Sequence, residues 1–471
     1  MRKKVIGMRI FEFEKYKDNV AFIDELGRKV YYKEVLELTK KISSKIGINK
    51  HIYMKASTNL GMLMYYVAFL YVGNVVQVVD KELSIEQHSN YIGNYKPEYI
   101  CEEVNTGVEY LGQLYGYGIR VAAEANKKEI NSELALLLPT SGSTGDCKFV
   151  RQSKKNIISN TKSIIEYLQV SEADQAMLSL PLSYTFGLSV LHTHIMSGAT
   201  LLVPYSKIYQ PAFWDFFQKY HGTTFSGVPY TFEVLDKLNF FSQKINVSYI
   251  TQAGGKLSMR LQNKIFDYTK KNKLRFYIMY GQTEATARMT YLPPEYFASS
   301  QKKGSVGIPI PGGRIEIYNP DNQKKEPAYT EGEIIYKGEN VCLGYADDYR
   351  DLCCGDNNHG ILKTGDLGYL DQDGFLYITG RKKRFVKILG KRINLDDIES
   401  KIKERFCVSC AVVGNDNEIC IYVDADQTEE ILDYSLKMFH VHIQNMQVKY
   451  IKEIPRLQSG KSNYTELLKR M

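Results

Sequence analysis

Four short apolar runs, ALLLP (135–139), TLLVP (200–204), VSYIT (247–251) and FYIMY (276–280), alternate with stretches whose apolar residues recur at helical spacing, at 32–46, 155–168, 213–221 and 258–271. Parallel strands cannot be joined by a tight turn and need crossovers of about a dozen residues, most often helices. The alternation therefore predicts an α/β fold with a largely parallel sheet. A hydrophobic content of 44% beside 24% charged residues fits a packed soluble chain rather than a disordered one. At 471 residues the chain exceeds what one core supports, so two or more domains are expected.

The texture changes near Gly304. SVGIPI, GRIEIYN, GEIIYKG and FLYITG are short alternating strands broken by Pro, Gly, Asn and Asp, which predict a small β-barrel-like subdomain over about 304–380. A second change comes at GRKKRFVKILGKR, a candidate boundary, after which INLDDIESKIKERF reads as a helix and CAVVG and EICIYVD as strands. The division expected is a large N-terminal region over 1–380 and a small α+β C-terminal domain over 385–471, with 381–384 between them. No charged residue occurs between Lys55 and Asp80, but Asn59, Gly73, Asn74 and Gln77 interrupt that stretch. It is too broken for a membrane span of about 20 apolar residues and predicts a buried helix followed by a strand.

The net charge of +8, from 61 basic and 53 acidic residues, suits a small anionic ligand without requiring one. The only dense basic patch runs from Arg381 to Arg392, where Phe385, Val386, Ile388 and Leu389 break it at strand-like spacing. No nucleic-acid partner is expected from it. Eight cysteines, two of them adjacent at Cys353 and Cys354, do not form a secreted disulfide framework. With no signal-like apolar core in MRKKVIGMRIFEFEK, a cytoplasmic location is expected.

Chemistry concentrates in loops that follow the apolar runs. In Thr140-Ser141-Gly142-Ser143-Thr144-Gly145-Asp146-Cys147-Lys148 the glycines permit a tight turn, and hydroxyls and main-chain N–H groups can surround phosphate oxygens beside the Lys148 cation. The Walker A pattern fails, because Cys147 stands five residues after Gly142 and no Ser or Thr follows Lys148. Taken alone, the loop is equally a plain polar turn. Tyr280-Gly281-Gln282-Thr283-Glu284 follows the strand FYIM, at the kind of strand end where open α/β sheets bind ligands. There an aromatic face suits a base, a hydroxyl a phosphate and a carboxylate Mg²⁺. Ala253-Gly254-Gly255 offers backbone to a flat ring, Lys363-Thr364-Gly365-Asp366-Leu367 a carboxylate suited to a ribose diol, and Pro455-Arg456-Leu457-Gln458-Ser459-Gly460-Lys461 a lysine on a loop.

In this order TSGSTGDCK, YGQTEA, GEIIYKGENVCLGY, KTGDLGYLDQDGFLYITGRKKRFVK and PRLQSGK resemble the AMP-forming adenylate synthetase superfamily of acyl-CoA synthetases, adenylation domains and luciferases, over nearly the whole chain. The resemblance implies that a carboxylate attacks the α-phosphate of ATP, pyrophosphate leaves, and a thiol or amine intercepts the mixed anhydride. It assigns Lys461 to the charge at the reacting phosphate, Thr140, Ser141, Ser143 and Thr144 to the β and γ phosphates, and Thr283 to the α-phosphate. Glu284 falls to Mg²⁺, Tyr280 to adenine, and Asp366 and Arg381 to the ribose. Lys383 becomes the pivot of a hinge, with Lys387 and Gly390 on the segment that swings in for thiol transfer.

SLPLSYTFGLSVLHTHIMSGATLLVP is similar to the family segment lining the acyl pocket, with Tyr184, Phe186, Gly187, Val228 and Gly254 as candidate walls. Tyr184 stands where many relatives carry histidine. No Asp or Glu occurs between Asp174 and Asp215, so an uncharged acyl or aryl acid is expected rather than an amino acid. Cys407, Cys410, His440 and His442 have a metal-like inventory, but CVSCAVVG reads as a strand whose alternate side chains face apart, and no zinc site is expected. His192 and His194 lack the spacing to share a metal. The implied activity is an ATP-dependent acid ligase with CoA, or the phosphopantetheine of a separate acyl carrier protein, as acceptor. A catalytically silent nucleotide-binding regulatory module is the alternative, and the presence of Lys461 with Thr283, Glu284 and Asp366 argues against it.

Overall fold

A computed structural model of the chain describes residues 9–123, 129–139, 148–242, 245–297, 302–389, 391–457 and 460–471. Among these, the strands form two large sheets and three smaller ones. Six strands of the nine-stranded sheet run parallel, in the spatial order Arg275–Tyr280, Tyr249–Gln252, Thr224–Gly227, Gln175–Met177, Thr200–Val203 and Val20–Asp24. Helices Thr185–Ser197, Pro211–Lys219, Pro229–Lys237 and Met259–Asn272 make the crossovers. The helix expected at 213–221 begins earlier because Pro211 takes the first turn, where its missing N–H leaves nothing unbonded. Since the parallel strands share a direction, Tyr280, Gln252 and Gly227 end at one edge of the sheet.

In the eight-stranded sheet Val75–Asp80 lies between His51–Ala56 and Leu134–Pro139, and Leu134–Pro139 pairs antiparallel with Phe149–Ser153. The uncharged stretch is the helix Leu60–Val72 followed by that central strand, as its breaks predicted. Asn59 caps the helix by accepting from the N–H groups of Gly61 and Met62, and Gly73 ends it at φ +91°. Its side chains are apolar all round because both neighbouring layers cover it. No described helix is long and apolar enough to cross a membrane.

Beyond Gly304 the chain is β-rich, with a four-stranded antiparallel sheet ordered Arg314–Tyr318, Gly332–Lys337, Ile361–Leu370, Leu376–Arg381. Its order is linear rather than closed into a barrel. The turn Lys382–Arg384 leads into the hairpin Phe385–Ile388 and Lys391–Asn394, the helix Leu395–Phe406 and a three-stranded sheet. Val386, Ile398, Val412, Ile421 and Met446 gather in an apolar cluster of this segment's own. Arg384 stacks 3.9 Å from the Tyr464 ring and pairs with Asp396 at 2.8 Å and Glu399 at 3.3 Å, closing one side of that cluster.

Candidate active site

At the edge where the parallel strands end, Tyr280 Oη donates to Asp366 Oδ2 at 2.5 Å. Gln282 Nε2 donates to the same oxygen at 2.7 Å and to the Thr364 carbonyl at 3.0 Å. Arg381 Nε lies 3.3 Å from Asp366 Oδ1. Burial, and then the Asp366 carboxylate, push the Tyr280 phenol well above its usual pKa, so it stays a neutral donor. Gly281 is required here, since a Cβ would stand 1.8 Å from the Ala287 carbonyl oxygen. Four side chains from two motifs thus form one hydrogen-bonded corner.

Thr283 and Glu284 follow in the short turn Thr283–Ala285. Gln152 Nε2 donates to the Thr283 carbonyl at 2.9 Å, and Tyr345 Oη donates to Glu284 Oε1 at 2.9 Å. Burial, and then Glu284, raise the Tyr345 phenol. Tyr345 is itself fixed by Arg151, a fully buried guanidinium that donates to the carbonyls of Tyr345 (2.9 Å), Cys354 (2.6 Å), Gly355 (3.2 Å) and Leu343 (3.2 Å). Among the described residues no three His, Cys, Asp or Glu side chains cluster as a metal cage. One partly buried carboxylate fits Mg²⁺ arriving with phosphates, because that ion keeps several waters and takes only one or two protein carboxylates. Past Glu284, Thr286 sits at φ +63°, unusual for a β-branched residue. Its carbonyl accepts from Thr185 Oγ1 at 2.6 Å and its own hydroxyl donates to the Asn340 carbonyl at 2.6 Å, which holds the strained turn.

Tyr184 is the residue before the helix Thr185–Ser197. Gly187 lets that helix meet the preceding loop, because a Cβ there would stand 2.3 Å from the Pro181 carbonyl oxygen. At Gly254, φ is +87° and a Cβ would stand 3.0 Å from Tyr184 Oη and 3.2 Å from Val228 Cγ1. Gly255 abuts Pro229. Phe186, Ser189, His194, Tyr249, Met279 and Arg288 line a cavity on the same helix and strands. Arg288 is 3% exposed, its guanidinium 3.9 Å from the Phe186 ring centre. It donates to the Ala287 carbonyl at 3.1 Å and Ser189 Oγ at 3.4 Å, while its Nε has no partner. Burial pulls it below the usual arginine value. His192 instead bonds Tyr66 Oη at 2.8 Å, and burial pushes it down to about 3, leaving an uncharged core histidine.

Lys461 approaches Tyr184 from the C-terminal segment, with Nζ 5.5 Å from the centre of the ring. Gly460, at φ +78°, brings its loop so near that a Cβ would stand 2.7 Å from Val228 Cγ2. Arg456 ties the loop to itself and to the large region: Nη1 donates to the Gly460 carbonyl at 3.1 Å, Nη2 lies 3.6 Å from Glu233, and the guanidinium is 4.2 Å from the Tyr230 ring. Asn394 Nδ2 adds a bond to the Thr379 carbonyl at 3.0 Å.

Contacts thus join Tyr184, Val228, Gly254, Gly460 and Lys461, while Tyr280, Gln282, Asp366 and Arg381 form the corner at the sheet edge and Thr283 and Glu284 the turn that follows Tyr280. Thr140, Ser141, Gly142, Ser143, Thr144, Gly145 and Gly390 lie outside the described residues. Lys148 is exposed and pairs with Asp347 at 3.2 Å. Lys383 and Lys387 are exposed around the turn Lys382–Arg384, away from the contacts just described. Sequence reasoning missed Tyr345, Gln152, Arg288 and Arg456. Tyr345 and Arg456 stood inside motifs that were read for other residues and Arg288 lies three positions past YGQTEA, whereas nothing local marks Gln152 as a partner of Thr283, 131 residues away.

The sequence profile of AMP-binding enzymes matches residues 12–346. An oxalate–CoA ligase of Saccharomyces cerevisiae is 28% identical over 355 residues, covering 70% of this chain and 62% of the relative. A 2-succinylbenzoate–CoA ligase of Bacillus subtilis is 31% identical over 281 residues, covering 59% of this chain and 55% of the relative. The chain thus spans little more than half the length of the curated relatives it matches. Among solved structures, the Bacillus subtilis O-succinylbenzoate coenzyme A synthetase MenE in complex with AMP has the same fold, with a TM-score of 0.76 at 20% identity over 96% of this chain and 95% of that one.

Proposed function

The chain belongs to the AMP-binding enzyme family, and from that premise we propose that it is an ATP-dependent acid ligase, activating a carboxylic acid as its acyl adenylate and transferring the acyl group to the thiol of CoA. The observation that carries the reading is the position of Lys461 over Tyr184, which abuts Gly254, together with the Tyr280 and Asp366 corner at the end of the parallel strands. A lysine is a compact cation on a flexible stem, suited to neutralising two anions that must approach each other. Relatives named for oxalate and 2-succinylbenzoate support CoA as acceptor and a carboxylic acid as substrate.

In this reading an oxygen of the substrate carboxylate bonds to the α-phosphorus of ATP as the bond to the bridging oxygen of pyrophosphate breaks, and the electron pair leaves with pyrophosphate. Asp366 and Arg381 take the ribose, the Tyr280 side holds the base, and Thr283 takes an α-phosphate oxygen. Lys461 balances the charge gathering at the pentavalent phosphorus. Thr140, Ser141, Gly142, Ser143, Thr144 and Gly145, with Lys148, form the pyrophosphate clamp. Mg²⁺, held by Glu284, would neutralise phosphate charge. In the second step the thiol sulfur bonds to the acyl carbon and AMP leaves, after the segment of Lys387 and Gly390 turns about Lys383 into the cleft.

Incubation with ATP, Mg²⁺, CoA and a panel of carboxylic acids should yield AMP, pyrophosphate and one acyl-CoA in equal amounts. Formation of ADP and phosphate instead would contradict the reading. Adenylate that accumulates with CoA and discharges only onto a phosphopantetheinylated carrier protein would move the acceptor to that protein.

A further inference from the structure

We propose that Tyr345 is a positioning residue for the metal of the ATP complex: its phenol occupies one oxygen of Glu284 and leaves the other as the single oxygen that this carboxylate offers to Mg²⁺. The inference rests on the assignment of Mg²⁺ to Glu284 proposed above and deepens it. Glu284 Oε1 accepts from Tyr345 Oη at 2.9 Å, and Oε2 takes no hydrogen bond among the described residues. The terminal torsion of a glutamate is broad, so an unbonded carboxylate turns freely about it. A donor on one oxygen fixes the plane of the group. A phenol is a neutral donor at pH 7, and it orients the carboxylate without the positive charge by which a lysine or arginine would repel the metal ion.

The phenol is itself well anchored. Strand Gly344–Ala346 pairs antiparallel with Phe149–Ser153, which sets Tyr345 opposite Val150, and Arg151 Nε holds the Tyr345 carbonyl at 2.9 Å. The same two chain segments fix the backbone of the turn: the Cys342 N–H donates to the Glu284 carbonyl at 2.8 Å, and Gln152 Nε2 to the Thr283 carbonyl at 2.9 Å. With both carbonyls bonded, the Glu284 side chain is what remains to be oriented. One rung further along the strand pair, Lys148 meets Asp347 at 3.2 Å, so the strand that backs the turn also leads out of the proposed pyrophosphate clamp. A tyrosine retained for packing alone would bury its ring. Tyr345 is instead 46% exposed while its hydroxyl reaches the carboxylate. Support of this kind, from a side chain that touches the ligand residue rather than the ion, sets metal affinity in other sites.

Tyr345→Phe removes the hydroxyl and keeps the ring, at a side chain already half in solvent. With the full chain in excess over ATP and no acid present, Mn²⁺ is titrated as a spin probe and its free signal followed by electron paramagnetic resonance. The ATP complex of the variant should bind Mn²⁺ about 10-fold more weakly than that of the wild type, the loss expected when the outer partner of a metal ligand is removed. ATP affinity measured by calorimetry in a chelator should not change, and the Mg²⁺ needed for half-maximal acid-dependent exchange should rise by the same factor. Unchanged Mn²⁺ affinity in Tyr345→Phe would overturn the inference. So would an equal loss of metal-free ATP affinity, which marks a merely structural role. Glu284→Gln serves as the control: Mn²⁺ affinity unmoved there would remove the metal assignment, and this inference with it. Because the titration uses no acid, failure of every acid to support exchange would remove the ligase reading while the Tyr345 result stands.

Discussion

Two regions of the candidate site are built on opposite principles. Around Asp366 and Glu284 the polar groups are partnered inside the fold: Tyr280, Gln282 and Arg381 converge on Asp366, Tyr345 holds Glu284, and Arg151 is fully occupied by carbonyls. Around Tyr184 and Arg288 fewer charged groups are paired. Arg288 has an unbonded Nε, and Lys461 has an aromatic ring but no ion pair among the described residues. Groups bonded in advance hold geometry for a ligand that is the same at every turnover, since no reorganisation is needed when it binds. Groups left unbonded are stabilised only by what arrives.

Substitutions in each region should separate these roles, and Lys461→Ala is the harshest. We expect acid-dependent exchange to fall about 1,000-fold, roughly 4 kcal/mol, while ATP affinity measured by calorimetry changes less than about 3-fold. A parallel loss of ATP affinity would erase the distinction between the regions. Next comes Arg151→Met, which strands several buried carbonyls and should lower denaturant stability by about 3 kcal/mol without altering acid preference. Arg288→Met, which removes a guanidinium with no ion pair among the described residues and only long bonds to the Ala287 carbonyl and Ser189, should cost less than about 1 kcal/mol in the same unfolding measurement. Asp366→Asn should raise the KM of ATP about 30-fold, near 2 kcal/mol, and leave the KM of the acid unchanged. Arg456→Ala loosens only a partly exposed latch on the lysine loop, so steady-state kcat should fall about 3-fold, under 1 kcal/mol.

The same contrast governs what the sequence discloses. The corner of Tyr280, Gln282, Asp366 and Arg381 is legible because its residues stand in short contiguous motifs, although the Tyr280 and Asp366 contact spans 86 residues. The alternation of apolar runs and amphipathic stretches was equally plain, because each crossover helix lies between the strands it joins. The cavity beside Arg288 is assembled from helix Thr185–Ser197, strands Thr224–Gly227 and Tyr249–Gln252, and Arg288 itself, with no local pattern common to them. That helix is buried nearly all round, so no face of it stands out as a pocket. Arg288 was overlooked four positions after Glu284, because a lone arginine in sequence carries no sign of whether the fold will supply it with acceptors.

The most direct measurement is exchange of labelled pyrophosphate into ATP, with and without carboxylic acids, for the wild type and Lys461→Ala. The account predicts exchange that requires both Mg²⁺ and an acid and that disappears in the variant while ATP still binds. No exchange with any acid, or exchange undiminished in Lys461→Ala, would contradict it.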